Sequence, residues 1–264
     1  MRKLLFIPFI ALTVTFFLPG CKKDNAAEEE VHFGKMTQKN LPLEKVDLGL
    51  PSGNLWASYN LGATAPDETG NYYAWGETSP KSIYQWSNYK FGEETSLTKY
   101  VFDDPKMPDL HYGKDGFTDN ILSLLPEDDA AVQILKEHWC TPSTADVIEL
   151  FVNCEVSWEQ YEEGSLVWGV RFRSKKNQEN VIFVPAAGIY YAELDYLNET
   201  AAFWTSTLTE DNGSGPGGLA CSACSFGTTS FRLSQYLKEP SQISSPYHYP
   251  SRFVGMPIRP VYKQ

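Results

Sequence analysis

Ser143-Thr144-Ala145-Asp146-Val147-Ile148-Glu149-Leu150-Phe151-Val152-Asn153-Cys154 contains both a helix start and a helix face. Ser143 and Asp146 resemble a capping box, with Asp where Glu or Gln is usual, and such a pair satisfies backbone amides that the first turn leaves open. Val147, Leu150, Phe151 and Cys154 recur at i, i+3, i+4 and i+7, which places them on one apolar face. Upstream, Pro126-Glu127-Asp128-Asp129 supplies acids that complement the positive end of a helix. The run 130–138 follows, with Ala131, Ile134, Leu135 and His138 on one stripe, and predicts a first helix. Beyond Cys154 the chain turns to short apolar runs between turn residues. Residues 166–172, 181–185, 201–205, 219–226, 230–233 and 258–262 read as strands. A few helices followed by many strands is an α+β pattern, not a βαβ one.

Toward the N-terminus the strand reading continues. Residues 46–61 alternate apolar and turn residues around Pro51-Ser52-Gly53-Asn54 and predict a hairpin-like pair. Residues 72–76, Tyr-Tyr-Ala-Trp-Gly, read as an aromatic strand, and 77–120 as long ordered loops. Of the 264 residues, 42% are apolar and 21% charged, so a core is available without cross-links. The formal charge of −11 argues against nucleic-acid binding, which needs cations to displace phosphate counterions. It argues equally against adsorption to anionic lipid.

The first residues read as an address. Met1-Arg2-Lys3 precedes an apolar run, residues 4–17, that is short for a membrane span and suits a signal peptide. Leu18-Pro19-Gly20-Cys21 resembles a bacterial lipobox, with Pro19 where a small residue is usual. That resemblance implies removal of residues 1–20, lipidation of Cys21 with palmitate, and an outer-membrane location; the alternative is an ordinary secretory signal. Cleavage removes Arg2 and Lys3 and no acid, so the mature chain is two charges more negative. Residues 21–42 are polar and contain Glu28-Glu29-Glu30, which reads as a flexible acidic tether. An acidic run after the lipidated Cys also resembles the surface-export signals of Bacteroidetes lipoproteins.

From residue 43 to 264 a single domain is expected. Val46-Asp47-Leu48-Gly49-Leu50-Pro51-Ser52-Gly53 with Trp56-Ala57, then Tyr72-Tyr73-Ala74-Trp75-Gly76-Glu77, resembles the start of the Fibrobacter succinogenes major paralogous domain of Bacteroidetes lipoproteins. Glu127-Asp128-Asp129-Ala130-Ala131, Trp139 with Thr141-Pro142-Ser143, Pro185-Ala186-Ala187-Gly188, Trp204-Thr205-Ser206-Thr207 and Ile258-Arg259-Pro260-Val261 continue the resemblance in order. It implies a C-type-lectin-like fold: two short helices packed on mostly antiparallel short strands, with long ordered loops. It also implies ligand binding and surface display. Cys140 stands where that family commonly has Arg.

Few motifs point to chemistry. Cys140 and Cys154 flank the second helix, about 15 Å apart if 143–153 is helical, too far for a disulfide. Cys221-Ser222-Ala223-Cys224 spells CxxC, but a strand there sends residues three apart to opposite faces and argues against a redox or zinc site. No histidines lie at metal-ligand spacing. Calcium is the one ion the acids suggest, through Asp128 and Asp129 with Asp115 and Asp119, or through Glu210-Asp211-Asn212-Gly213; helix capping explains Asp128 and Asp129 more simply. The calcium signatures of sugar-binding C-type lectins are missing, and no cofactor is expected. There is no Ser-His-Asp signature, P-loop, GxGxxG or HExxH, and no carboxylate pair stands out.

The remaining feature is aromatic. Tyr236, Tyr247, His248, Tyr249 and Arg252 interleave rings with polar groups ahead of the last strand, whereas Phe231 and Phe253 read as core. Tyr and Arg are enriched at contact hot spots. In C-type-lectin-like relatives the C-terminal loops carry the contact residues, so the resemblance implies that these five contact a glycan or protein ligand. The reading is a non-catalytic surface binding module, against a structural accessory subunit of a fimbria or envelope assembly, or a glycan-active enzyme.

Overall fold

Strands from the two ends of the folded chain lie side by side in one sheet. The computed structural model describes residues 43–102, 112–208 and 250–264 with their side chains, and 221–227 and 247–248 as backbone. All belong to one unit of mutual contact, Gln38–Gln264. The expected signal peptide, the tether and the strand at 230–233 lie outside the described residues. Strands β1 (Lys45–Val46), β2 (Leu55–Ala57), β12 (Val261–Tyr262) and β3 (Trp139–Cys140) are neighbours in that order, all antiparallel. Val46 lies opposite Trp56, Trp56 opposite Val261, and Val261 opposite Cys140. Residues opposite one another share a face, and this row covers a hydrophobic core. On the other face Lys45 Nζ sits 3.4 Å from the Tyr262 ring centroid, and Trp139 meets the same ring edge-on.

The second helix, α2 (Thr144–Asn153), starts as its sequence predicts. Ser143 Oγ accepts from the Asp146 amide at 3.2 Å, and the Asp146 carboxylate accepts from the Ser143 amide at 2.7 Å. Val147 and Leu150 are buried against Val170, Phe172, Ile182 and Val184. Cys154, also buried, ends the helix and opens β4 (Cys154–Gln160). Ser143→Ala should cost about 1 kcal/mol, seen as a lower guanidinium midpoint at unchanged slope. No shift would mean that Asp146, which also accepts from Asn54 and Lys263, secures the helix start without Ser143.

The first helix is shorter than expected. It spans α1 (Ala130–Leu135); Lys136 and Glu137 take positive φ, His138 is exposed and lies outside it, and Ile134 is exposed too. The reason is tertiary: Trp139 must enter β3 opposite Tyr262, so the chain reverses before the fourth residue of the expected stripe.

Strands β4, β5 (Trp168–Ser174) and β6 (Val181–Pro185) form an antiparallel sheet, and β7 (Ile189–Tyr190) pairs with β8 (Leu194–Asp195). Gly169 is required there, because a Cβ would come within 2.3 Å of the Val184 carbonyl and 2.6 Å of the Phe183 ring. A third sheet has the order β11-β10-β9, with β9 (Thr200–Leu208), β10 (Cys221–Gly227) and β11 (Tyr247–His248). In β9 the side chains alternate between two cores. Ala201 and Phe203 join Trp56 and α2, while Ala202 and Trp204 join an aromatic cluster around Trp75 and Tyr100. A strand buried on both faces reads as a continuous apolar run, as Ala201-Ala202-Phe203-Trp204 does.

The aromatic core is built mostly from loops. Residues 72–76, expected as a strand, make one bridge, Tyr73 opposite Met256. Buried loops must still satisfy their backbone polar groups. Here ring tips do so: Tyr84 and Tyr89 hydroxyls donate to the carbonyls of Tyr72 and Trp75, and the indoles of Trp75 and Trp204 donate to those of Thr205 and Tyr73. Polar-tipped aromatics thus supply both apolar area and donors. Among the described residues the fold is α+β, with short helices and antiparallel sheets.

Candidate functional site

Strand β11 carries two of the expected contact residues. Tyr247 lies opposite Cys224 and His248 opposite Ala223, and among the described residues β11 is the outer strand of its sheet. The sequence had suggested a loop here; the ladder to β10 replaces it. Tyr236, Tyr249 and the lipidation candidate Cys21 lie outside the described residues.

Arg252 corrects the expectation most clearly. Expected among surface contacts, it is fully buried. Nη1 donates to the Lys99 carbonyl at 3.2 Å and Nη2 to the Tyr100 carbonyl at 2.6 Å, and the guanidinium lies 5.7 Å from the Trp75 ring centroid. The cause is the loop-built core: these carbonyls lie in a loop, and a guanidinium brings several donors in a fixed fork. Its Nε has no partner among the described residues. Arg252 also accepts from the Trp75 amide through its own carbonyl, so the segment after β11 is held to the loop core from both sides. Phe253 packs on Trp86 and Tyr191, as its reading as core predicts.

The acids proposed for calcium face hydrogen-bond donors. Asp128, almost fully buried, accepts from Lys90 Nζ and Lys99 Nζ at 2.6 Å each and from the Tyr100 hydroxyl at 2.7 Å. Lys99 also reaches Glu127. Two ammonium groups at this range repel a divalent cation. Asp129 is the N-cap of α1 and accepts as well from the amide and hydroxyl of Thr141. Asp119 accepts from the amides of Tyr100, Val101 and Ile121. The capping and loop-closing roles account for these three acids. Asp115 is exposed, and the Glu210-Asp211-Asn212 candidate lies outside the described residues.

Burial sets the electrostatics of the remaining groups. It raises Asp129 above the usual carboxylate range against the hydrogen bonds from Thr141 and the helix amides. It pushes the Cys140 thiol up to about 12, helped by the nearby Asp129 charge, and the Cys154 thiol to about 11. Neither is a thiolate at neutral pH, so neither is a ready nucleophile. The crevice between Trp75, Glu77, Asp128, Thr141 and Trp204 is too tight to admit a water molecule, let alone a small-molecule ligand.

No protein-family model, curated protein or solved structure matches the chain. The site must therefore be argued from its own residues. Sequence reading found the β11 segment because rings cluster there between Ser and Pro. It missed the union of Lys90, Lys99, Tyr100 and Asp128, whose members lie up to 38 positions apart and share no local pattern.

Proposed function

We propose that the chain is a lipid-anchored, surface-displayed binding module of C-type-lectin-like build. It is tethered through Cys21 and recognises a glycan or protein ligand through Tyr247, His248 and Tyr249, with Tyr236 upstream in the sequence. The observation that carries the reading is the placement of β11. Among the described residues it is an outer strand, and a few residues later the chain is locked by the buried Arg252. A contact segment on a rigid support loses little freedom on binding. The fold reading draws support from the pairing of the last strand, β12, with β2 near the start of the domain, the helix α2 over the same core, and the long loops ordered by buried tyrosines.

A glycan array probed with the chain, followed by product analysis, tests this reading. Bound glycans are expected to be recovered unaltered. Tyr247→Ala with Tyr249→Ala should weaken binding by about tenfold or more and leave the melting temperature almost unchanged. A large loss of melting temperature would place the rings in the core. Unchanged affinity in a folded double variant would move the contact surface elsewhere, and cleaved glycans would contradict the non-catalytic reading.

A further inference from the structure

Outside β11, two segments join into an apolar surface. The Trp168 amide donates to Asn198 Oδ1 at 3.4 Å, the Trp168 carbonyl accepts from the Ala186 amide, and the Ala186 carbonyl accepts from the Asn198 amide. Residues 166–168 and 196–198 therefore lie side by side. Their large apolar side chains point to solvent: Leu166 is 86% exposed, Tyr196 56%, Leu197 48% and Trp168 38%. Contiguous exposed apolar surface is uncommon on a monomer and marks contact sites.

The surroundings define what fits. Glu162 and Glu163 occupy the turn between β4 and β5 that leads into Leu166, and Asp195 and Glu199 flank residues 196–198. None of these four makes an ion pair with a described residue. From Glu137 to Phe231 the chain has four cations, Arg171, Arg173, Lys175 and Lys176, against thirteen acids. The four flanking acids repel anionic lipid, nucleic acid and a second copy of the same face. Aliphatic Leu166 and Leu197 offer a sugar neither a stacking face nor a hydrogen bond. Apolar area with an acidic rim complements a segment that has apolar residues on one side and Lys or Arg on the other.

We infer that Leu166, Trp168, Tyr196 and Leu197, rimmed by Glu162, Glu163, Asp195 and Glu199, dock a basic amphipathic polypeptide segment. This surface shares no residue with β11 and does not depend on what β11 binds. The full chain carrying Cys21→Ser, which needs no detergent, can be titrated with a fluorescent amphipathic Lys/Leu helical peptide and with its Glu/Leu counterpart. The Lys/Leu peptide should bind with an affinity that falls as salt rises, and the Glu/Leu peptide should not bind. Trp168→Ala with Tyr196→Ala should raise Kd about tenfold or more, and Glu162→Gln with Glu163→Gln should weaken binding and flatten its salt dependence. Leu166→Ser, at a site too exposed to unfold the chain, should weaken binding several-fold and covers the case in which the ring variant misfolds. Tyr247→Ala with Tyr249→Ala should leave the peptide Kd unchanged, which separates this surface from the one on β11. Equal binding of both peptides, or an unchanged Kd in folded Trp168 and Leu166 variants, would overturn the assignment.

Discussion

Arg259→Met is expected to lower stability by about 4 kcal/mol or to abolish folding. The Arg259 side chain is wholly buried and faces no carboxylate among the described residues. Its Nε donates to Asn60 Oδ1 at 2.9 Å, Nη1 to the Ala57 carbonyl at 3.1 Å, and Nη2 to the Phe183 carbonyl at 2.6 Å. One side chain thus joins the end of β2, strand β6 and the approach to β12. Burial pulls its pKa down to about 9, so the group remains charged at neutral pH. Methionine fills similar volume but leaves three buried acceptors without donors, each costing roughly 1–3 kcal/mol. Lysine keeps the charge, but its ammonium cannot reproduce the fixed fork of a guanidinium, so Arg259→Lys should recover less than half of the loss. Guanidinium unfolding measures both. A Met variant within about 1 kcal/mol of the parent would show that water or a rearranged backbone satisfies these acceptors.

Asp128→Ala should cost about 2–3 kcal/mol, less than the loss of one partner from a fully buried pair. The discount reflects Lys90 and Lys99, which are 45% and 25% exposed and can turn to water once their carboxylate is gone. The Tyr100 hydroxyl still donates nowhere else once the acid is removed, though it goes on accepting from the Leu125 amide. The clasp also has a pH signature. Burial raises the pKa of Asp128, but hydrogen bonds from Lys90, Lys99 and Tyr100 outweigh it and leave the carboxyl below its ordinary range. A depressed folded pKa gives stability that is present above the unfolded value, near 4, and is lost as pH falls through the folded value. Asp146, held low by Lys263 and Ser143 against its own burial, acts with the same sign. Asp129, raised by burial, acts with the opposite sign. The informative quantity is therefore the difference between the parent and Asp128→Asn. That difference should be largest near neutral pH and shrink as the pH falls below about 4. Parallel curves would show that the clasp contributes nothing to acid sensitivity.

What the sequence made legible was local. The capping box and the apolar face of α2 lie within a dozen residues, and the helix forms where they place it. Strand β6 forms over Val181–Pro185 as its unbroken apolar run predicts. Strand β4 was legible as well, in Val156 and Trp158 alternating with Glu155, Ser157 and Glu159, but went unread beside the stronger helix pattern. What escaped was long-range. Arg252 lies between Ser251 and Phe253 and looks like a surface residue until Lys99 and Tyr100, some 150 positions away, present their carbonyls. The end of α1 depended on Tyr262 across the sheet, not on any residue of the helix. Acids at 119, 128 and 129 have the composition of a calcium loop, and their donors become visible once the chain is folded. Exposed aromatics and buried ones look alike in sequence; Trp168 and Trp204 differ because one stands at the exposed first position of the central strand β5 and the other faces a core.

The central claim, a binding module held at the cell surface by a lipid, is tested most directly by protease shaving of intact cells fed an alkyne-tagged palmitate. The parent chain should carry the tag, and the protease should remove residues 43–264 from unbroken cells while the tagged N-terminal stub stays with the envelope. Cys21→Ser should carry no tag and leave the membrane fraction. A parent chain that is untagged, or that stays whole on shaved cells and is cleaved after lysis, would contradict lipid-anchored surface display.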